Sequence, residues 1–418
     1  MKGDLTATAW NQRDQHDLRG VPDTRRPELS ENANARPSQK SGTFLRPFTL
    51  MHVTETWTGG VGTYLESILQ QQLEDPSISA VHLACSASRT PERLPLEGHP
   101  KLHVHRYESS RSLFGALRAR KAIRELVRSQ RPDLLHLHST FAGVYGRTFQ
   151  TDVPIVYCAH GWAFTQELSW PVSAAYSMVE ALLSKQSNAI IHISQGEFDA
   201  AWKRGVRAAL NPVILSSVRP PRVSLIPPIA VDPNKINLAF VGRFDRQKGA
   251  ELLLDALSKV RRDDIHLYLL GDFDRDREGG ELLEKLNDRR VTRLGWIANE
   301  EIDDYIARVD GLVIPSRWEG FGLVATEAMR NGKAVLVSNR GGLPEQVIDG
   351  FNGYVFALEE PDELTKLLER LTKSELTKLG ANAKQVWRSS FNEQRTYRSL
   401  HQLYRRVMLG DDVGDAAP

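Results

Sequence analysis

Cysteine is scarce in this sequence: Cys85 and Cys158 are the only two in 418 residues. Two thiols in a chain of this length cannot form the disulfide framework of small secreted domains, and they suit a reducing compartment. Long apolar runs are missing too, since none approaches the roughly 18 residues that a membrane-spanning helix needs. The N-terminus is too polar for the apolar core of a signal peptide. Together these absences predict a cytoplasmic protein without a transmembrane helix.

The sequence also lacks an excess of charge of one sign. Its 54 Lys and Arg residues nearly balance 52 Asp and Glu residues, and the net charge is +2. Nothing here favours nucleic acid as a partner, so any basic surface must be local. Apolar residues make up 41% of the chain and charged residues 25%, as in globular proteins. A chain of this length predicts two domains rather than one compact core.

The order of apolar segments predicts an α/β architecture. Residues 1–45 are rich in Arg, Asp, Asn, Pro and Ser, with little to bury, and are expected to form a disordered tail. Short apolar strands then alternate with helical stretches, which is typical of a parallel sheet covered by helices. The first set is FTLMHVT, VHLAC, KLHVHRY, LLHLHS, PIVYCAH and AIIHIS; the second is INLAFVG, HLYLLGD, VTRLGW, GLVIPS and AVLVSN. A proline-rich connection separates the two sets.

Two Rossmann-like domains are therefore expected, over residues 46–227 and 228–390, with their parallel sheets facing an interdomain cleft. Ligands of such sheets bind outside the carboxyl ends of the strands. Residues at those strand ends are the first candidates for a functional site.

The segment PSRWEGFGLVATEAMRNGKAVLVSNRGGLPEQV, residues 315–347, carries the strongest functional signal. Glu319 and Glu327 lie on either side of a glycine-rich turn that leads from a strand into a helix. Free N–H groups at a helix start bind anions, and Gly320 and Gly322 let a phosphate approach the backbone. Carboxylates accept paired hydrogen bonds from sugar hydroxyls. Phosphate and sugar together indicate a nucleotide sugar.

This segment resembles the retaining glycosyltransferases of family 4, which have the GT-B fold. The resemblance rests on E-x7-E with GFG inside it, EAM directly after it and GG-x-x-E-x-V downstream, and it extends over roughly residues 47–408. It implies transfer of a hexose from a nucleotide-diphosphate sugar to an acceptor, expected to be a lipid-linked saccharide for bacterial surface polysaccharide. It also implies that no cofactor or metal ion is needed, and that a C-terminal helix, 391–410, returns to the first domain.

The resemblance implies roles for several residues of the second domain. Arg243 and Lys248, in FVGRFDRQKG, match residues that bind the donor diphosphate, although alone they could be a solvated basic loop. Glu327 matches the residue that binds the ribose hydroxyls, and Glu319 the one near the transferred sugar. Further donor-binding positions are implied at Trp296, Phe321, Gly322 and Leu323.

In the first domain, Gly59 and Gly60 open a helix after the first strand and could let the backbone approach the diphosphate, or could form a plain tight turn. His160, at the end of another strand, matches the active-site histidine beside the sugar. Catalysis is thus expected to involve His160, Arg243, Lys248 and Glu319. His136 and His138 share one strand face, but no third ligand has convincing spacing, so they are expected to line the core or the cleft rather than bind a metal.

Residues 111–131 predict a basic amphipathic helix that could lie on anionic lipid. Leu113, Leu117, Ile123 and Val127 are near helical spacing. Cations crowd the rest of the helix against one acid, Glu125; they include Arg118, Arg120, Lys121, Arg124, Arg128 and Arg131. The helix could equally be an ordinary solvated one. With a membrane contact, the protein would be peripheral on the inner face of the cytoplasmic membrane.

Other functions remain open from the sequence. A sugar phosphorylase or nucleotide-sugar epimerase has a similar fold, but no motif supports the pyridoxal-phosphate lysine of the related phosphorylases. A noncatalytic sensor of nucleotide sugars on a GT-B scaffold need not keep the complete set of reacting residues that this chain has. A glycosyltransferase acting on a soluble small molecule remains an alternative to one acting on a lipid-linked acceptor.

Overall fold

The computed structural model describes residues 46–57, 59–110, 112–221, 229–273, 287–360 and 362–409. The expected disordered tail, 1–45, and the expected domain boundary at residues 227 and 228 lie outside these ranges. Within them, every helix is too short or too polar to cross a membrane.

The first half of the chain forms a parallel sheet of six strands in the order β3-β2-β1-β4-β5-β6. The strands are β1 Phe48–Thr54, β2 Ile78–Ser86, β3 Leu102–Tyr107, β4 Leu134–His138, β5 Ile155–Cys158 and β6 Ala189–Ile191. All six were predicted, because a strand covered by helices on both faces is a short continuous apolar run. The helices are α1 Gly60–Glu74, α2 Leu113–Gln130, α3 Thr140–Arg147, α4 Trp170–Ser184 and α5 Gln195–Lys203.

The second half forms another parallel sheet, in the order β12-β11-β10-β7-β8-β9. Its strands are β7 Ile236–Val241, β8 Ile265–Leu270, β9 Val291–Gly295, β10 Gly311–Ile314, β11 Ala334–Ser338 and β12 Gly353–Phe356. The sequence did not predict β12, since GYVF is only four residues long. Its helices are α6 Ala250–Lys259, α7 Ile302–Ile306, α8 Leu323–Arg330, α9 Glu363–Arg370 and α10 Lys373–Ser390. The α/β architecture of two parallel sheets is confirmed.

The last helix, α11 Glu393–Leu409, packs against the first half of the chain. Gln71 of α1 donates a hydrogen bond to Glu393 at 3.1 Å, and the Tyr397 hydroxyl donates to Asp75 at 2.5 Å. The Tyr404 hydroxyl lies 2.7 Å from His136 Nδ1 on β4. Helix α11 therefore reaches the core of the first sheet.

Helix α2 forms where the sequence predicts it, but the expected apolar stripe is wrong at its N-terminal end. Ile123 and Val127 are buried, whereas Leu113 is 74% and Leu117 52% exposed. Gly115 and Ala119 occupy the buried positions instead. A Cβ added to Gly115 would lie 1.9 Å from Ser110 Oγ, so the chain approaches this turn too closely for a larger side chain. Two leucines are left facing outward.

Candidate active site

Two helix starts, one from each half of the chain, lie next to each other. Helix α1 begins at Gly60 after Gly59, which has a φ of 69°, and α8 begins at Leu323 after Gly322, with a φ of 89°. A Cβ added to Gly60 would lie 3.6 Å from Leu323 Cδ1. Since the first N–H groups of a helix have no partner within it, both helices direct partial positive charge toward this place.

The glycine-rich turn between Glu319 and Glu327 touches the loop that follows His160. A Cβ added to Gly320 would lie 3.1 Å from the Cα of Gly161. Ser194, just before α5, donates a hydrogen bond to the Gly320 carbonyl at 2.9 Å. The structure thus brings together the motif of the second half and the strand-end histidine of the first.

Lys248 and Glu319 form an ion pair at the centre of this region. Ser316 Oγ also donates to Glu319 Oε1, at 3.0 Å. Both charged side chains are mostly buried, so their interaction is weakly screened. Arg243 is 48% exposed and contacts Asp245 at 2.8 Å, which leaves part of its guanidinium open to a ligand.

Glu327 lies buried on α8. Burial raises the pKa of its carboxyl group, while the positive charges of Arg330, Arg219 and Lys248 act in the opposite direction. Arg330 itself bonds Asp303 at 2.6 Å. A buried carboxylate in a basic surrounding is suited to accept hydrogen bonds from paired hydroxyls.

His160 adopts a left-handed backbone conformation with a φ of 55°, which is strained for a residue other than glycine. Its ring packs edge-on against Tyr64, with 4.7 Å between ring centroids, and its Nε2 lies 2.9 Å from His138 Nδ1. Burial lowers the pKa of His160 to about 3, so the ring is neutral at pH 7.

Glu197, in the first turn of α5, supports the loop after His160 and was missed from the sequence. Its carboxylate accepts hydrogen bonds from the N–H groups of Gly161 and Ile193. Burial raises the pKa of Glu197 to about 7, although both N–H bonds oppose the shift. The capping pattern S-x-x-E at Ser194 was the only sequence signal, and it predicts a helix start rather than a contact with the loop at Gly161.

The sequence showed no third ligand with convincing spacing for His136 and His138, but the structure places His52 beside them. Strands β1 and β4 pair with His52 opposite His136, and one ring nitrogen from each of His52, His136 and His138 lies within 4.8 Å of the other two. His52 precedes His136 by 84 positions along the chain, so spacing within a motif could not reveal the cluster.

Two further positions predicted to bind the donor, Trp296 and Phe321, differ in the exposure of their side chains. Trp296 directly follows β9, at the carboxyl end of its strand, and is 68% exposed. The side chain of Phe321 is buried against Phe391, with 5.8 Å between ring centroids, so only its backbone can face a ligand. The roles of these positions in donor binding stay predictions.

Two sequence families match the chain and together span most of it. Residues 59–214 match the family described as glycosyl transferase 4-like domain. Residues 225–386 match the family described as glycosyl transferases group 1. Their border coincides with the passage from the first sheet to the second.

Two relatives match this chain along most of their own length. An uncharacterized 41.2 kDa protein in the cps region of Klebsiella pneumoniae is 28% identical over 337 residues, which cover 77% of this chain and 90% of that protein. The Escherichia coli enzyme named UDP-Gal:alpha-D-GlcNAc-diphosphoundecaprenol alpha-1,3-galactosyltransferase is 23% identical over 330 residues, covering 70% of this chain and 80% of that one.

Solved structures share the fold. HepE from Anabaena, crystallised with UDP and glucose, has a TM-score of 0.72 at 21% identity over 86% of this chain and 99% of its own. Sucrose-phosphate synthase from Thermosynechococcus elongatus has a TM-score of 0.73 at 22% identity, over 87% of this chain and 99% of its own. With two matching family domains, relatives along most of its length and this shared architecture, the chain belongs to the glycosyltransferases of the GT-B fold.

Proposed function

We propose that this protein is a retaining hexosyltransferase of family 4 that transfers a hexose from a nucleotide-diphosphate sugar to a lipid-linked saccharide, in the synthesis of exopolysaccharide, capsule or lipopolysaccharide. One observation carries the proposal: two helix starts, one from each half, lie side by side next to a buried Lys–Glu pair. Fixed positive charge between two sheets suits a diphosphate that leaves during the reaction.

The donor is assigned to the second half of the chain. Glu327 accepts hydrogen bonds from the ribose hydroxyls, and Arg243 and Lys248 bind the diphosphate together with the N-termini of α1 and α8. Arg243 can use the open part of its planar fork for two phosphate oxygens. In other transferases a divalent metal ion neutralises the charge of the diphosphate. Here we assign that role to these cations and helix starts, and we assign no metal or other cofactor.

The transferred sugar is placed between Glu319 and His160. Lys248 and Ser316 orient the Glu319 carboxylate, and this carboxylate is assigned to sugar hydroxyls rather than to a covalent bond. The leaving phosphate takes the proton of the acceptor hydroxyl on the same face of the sugar. Lys248, Arg243 and the helix starts stabilise the charge that develops on it.

The relatives support the choice of donor and acceptor. HepE has been crystallised with UDP and with UDP-glucose, which makes UDP-hexoses the first donors to try. The Escherichia coli relative is named for transfer to a diphosphoundecaprenol-linked sugar, which supports a polyprenyl-linked acceptor.

A membrane surface is proposed on the helices that cover one face of the first sheet. Helix α3 joins α2 and α4, since Arg120 of α2 bonds Thr148 after α3, and Arg147 of α3 bonds Glu180 of α4 at 2.7 Å. Glu180 is the only charged residue of α4, and it is buried. The outward side of α4 and the start of α2 expose apolar side chains: Leu113, Phe114, Leu117, Trp170, Met178 and Leu182.

Exposed cations on α2 flank this apolar surface, among them Arg118, Lys121 and Arg128. Apolar side chains that reach the acyl boundary, next to cations at the headgroups, are what an anionic bilayer binds. We therefore assign this face, called the α2–α4 face below, to the inner surface of the cytoplasmic membrane, where a polyprenyl-linked acceptor would be available.

A transfer assay on the full chain tests the proposed function. Thermal shift with UDP-, GDP- and ADP-hexoses first selects the donor, because a ligand that binds the native state stabilises it. Radiolabelled donor is then offered with polyprenyl-diphosphate-linked saccharides, and NMR of the product gives the anomeric configuration. We expect label in the lipid fraction and the same configuration in product and donor.

Each other outcome overturns part of the proposal. An inverted configuration overturns the retaining assignment. Transfer only to a water-soluble acceptor overturns the lipid-linked one. A donor that binds without transfer or hydrolysis identifies a noncatalytic nucleotide-sugar sensor.

A further inference from the structure

A line of hydrogen-bonded side chains runs from α1 through the first sheet to His160. Gln72 Oε1 on α1 lies 2.9 Å from His52 Nε2. His52 Nδ1 lies 2.8 Å from His138 Nε2, and His138 Nδ1 lies 2.9 Å from His160 Nε2. Gln72, His52 and His138 are fully buried, so water does not compete for these contacts. We call these four residues the histidine line.

Every ring in the histidine line is neutral at pH 7. Burial lowers the pKa of His52 to about 4 and that of His160 to about 3. Burial also lowers the pKa of His138 well below its usual value, and the neighbouring histidines lower it further. A neutral imidazole carries one N–H donor and one lone pair. Each ring therefore donates on one side and accepts on the other, and the whole line has a direction.

Gln72 sets this direction. Its Nε2 donates to the Tyr404 hydroxyl at 3.5 Å, which leaves its Oε1, an acceptor only, facing His52. His52 Nε2 must then carry the proton, and His52 Nδ1 accepts from His138 Nε2. His138 Nδ1 accepts in turn from His160 Nε2. At the end of the line, the proton of His160 is on Nε2 and the lone pair on Nδ1.

We propose that Gln72, His52 and His138 are positioning residues that fix the tautomer of His160, so that its Nδ1 accepts a hydrogen bond from a hydroxyl of the donor sugar. The inference rests on the proposed function for the presence of a sugar at His160. It adds that this nitrogen distinguishes a hydroxyl, which can donate, from a carbonyl or ether oxygen at the same place. Specificity at one position of the sugar thus depends on a side chain three contacts away.

A metal ion held by His52, His136 and His138 is the competing explanation of the cluster. It draws support from His136 Nε2, which is buried without a hydrogen-bond partner among the described residues. The contact of 2.8 Å between His52 Nδ1 and His138 Nε2 speaks against it. Two nitrogens that bind one tetrahedral zinc ion at about 2.0–2.1 Å lie roughly 3.3 Å apart. A separation of 2.8 Å is that of a shared proton.

The first test uses the free protein and needs no activity. The full chain is labelled with 15N-histidine, and two-bond proton–nitrogen NMR correlations report which ring nitrogen carries the proton; the signals that disappear in His160→Gln identify His160. We expect protonated Nε2 and unprotonated Nδ1. A proton on Nδ1, or a mixture of both tautomers, overturns the proposal. One equivalent of zinc in the purified protein, by elemental analysis, overturns it as well.

The second test is kinetic and compares two substitutions in the same buried helix. Gln72→Leu removes the acceptor that directs the histidine line, while Ser67→Ala removes a buried hydroxyl that bonds Ser217 at 3.2 Å and lies outside the line. Loss of one correctly directed hydrogen bond to the sugar should lower kcat about two- to tenfold. We expect this in Gln72→Leu with donor KM within twofold of wild type, and no change in Ser67→Ala.

The two tests separate the inference from the proposed function. If the wild type transfers no sugar, the NMR experiment still decides whether the histidine line fixes the tautomer. If the wild type is active and Gln72→Leu keeps the full kcat, or if Ser67→Ala lowers kcat equally, the positioning role is overturned.

Discussion

Four charged side chains of the candidate site are held in different ways, and their surroundings decide how each can bind a ligand. Lys248 and Glu319 neutralise each other, so a diphosphate has to share the ammonium group with an existing partner. Arg243 is half exposed and can turn toward a ligand. Glu327 is buried, and the burial that raises the pKa of its carboxyl group outweighs the compensation from the nearby cations. Hydroxyl donors would supply that compensation.

We predict that Glu327→Ala and Arg243→Ala each weaken donor binding. The loss of a charge-assisted hydrogen bond should cost roughly 1.5–3 kcal/mol, or about 10- to 150-fold in Kd. Calorimetric titration with the donor selected by thermal shift measures it. Arg289→Ala is the matched control, because Arg289 is exposed, pairs with Asp263 and precedes β9 at the end of the sheet away from the site. Unchanged Kd in both cleft variants would remove these residues from the donor site.

We predict that His160→Ala reduces turnover far more than donor affinity. His160 is assigned to the reacting sugar and not to the nucleotide, so its loss should lower kcat and kcat/KM together. Steady-state kinetics with the donor varied gives both constants. A higher KM with a normal kcat would instead make His160 a plain binding residue.

Glu197 predicts a pH dependence of stability. Its pKa rises from 4.5 to about 7 on folding, so the native state binds a proton that the unfolded chain releases. The stability that this proton contributes is complete below about pH 4.5 and is lost as the pH rises through 7. Relative to Glu197→Gln, which cannot titrate there, the wild type should lose about 3 kcal/mol of unfolding free energy across this range. Urea unfolding at a series of pH values measures both proteins, and parallel pH curves would contradict the assignment.

Local motifs predicted some of the site and could not predict the rest. Lys248, Glu319 and Glu327 lie in short strings in which strand, turn and helix follow one another, so their placement depends mainly on local structure. Glu197, His52 and Gln72 act through contacts with residues 20 to 86 positions away. Those contacts arise from the pairing of β1 with β4 and from the packing of helices on the sheet, which no spacing within one motif reveals.

The sequence predicts an element of the fold best where its buried residues form one continuous apolar run. Eleven strands are short apolar runs between helices, and the sequence showed all of them. The twelfth, β12, has only four residues and was missed. The apolar stripe of α2 was wrong because glycine and alanine take the buried positions at its start. The spacing of apolar residues alone does not show which of two possible faces of a helix packs against the rest of the protein.

The exposed apolar residues of α2 and α4 lead to a prediction about membranes. Full-length protein should sediment with anionic vesicles and not with neutral ones, and should dissociate as salt shortens the Debye length from about 8 Å at physiological ionic strength. Replacing Arg118, Lys121 and Arg128 with Gln should abolish sedimentation and leave transfer to a soluble acceptor fragment intact. Arg120 is kept, because it bonds Thr148 within the protein.

The control removes the same charge elsewhere. Lys366, Lys378 and Lys384 are exposed on α9 and α10 in the second half of the chain, and their replacement with Gln should leave vesicle binding unchanged. If vesicle binding falls equally in the two triple variants, the protein binds lipid through its net charge and not through the α2–α4 face. If the wild-type protein does not sediment with anionic vesicles at low salt, the result favours the hypothesis of a soluble acceptor.

At the scale of the whole molecule, polar contacts beside the site join the two halves of the chain. Glu345, in the GG-x-x-E segment of the second half, accepts hydrogen bonds from the N–H groups of Gln195 and Gly196 at the start of α5, both at 2.7 Å. Glu167 and Arg246 form a second contact between the halves, at the exposed rim. The first contact uses two helix N–H groups and a mostly buried carboxylate, whereas the second is an ion pair open to solvent.

We predict that Glu345→Gln loosens the closed arrangement and Glu167→Gln does not. The amide that replaces Glu345 has only one acceptor for two N–H groups, and the lost charge-assisted bond costs roughly 1.5–3 kcal/mol. Since a ligand that needs both halves binds only the closed fraction, donor Kd should rise about tenfold or more. The exposed pair contributes about 0–1 kcal/mol, so Glu167→Gln should change Kd less than about fivefold. Small-angle scattering should show a larger radius of gyration for free Glu345→Gln, which saturating donor restores. If both variants scatter and bind like the wild type, Glu345 caps α5 without holding the halves together.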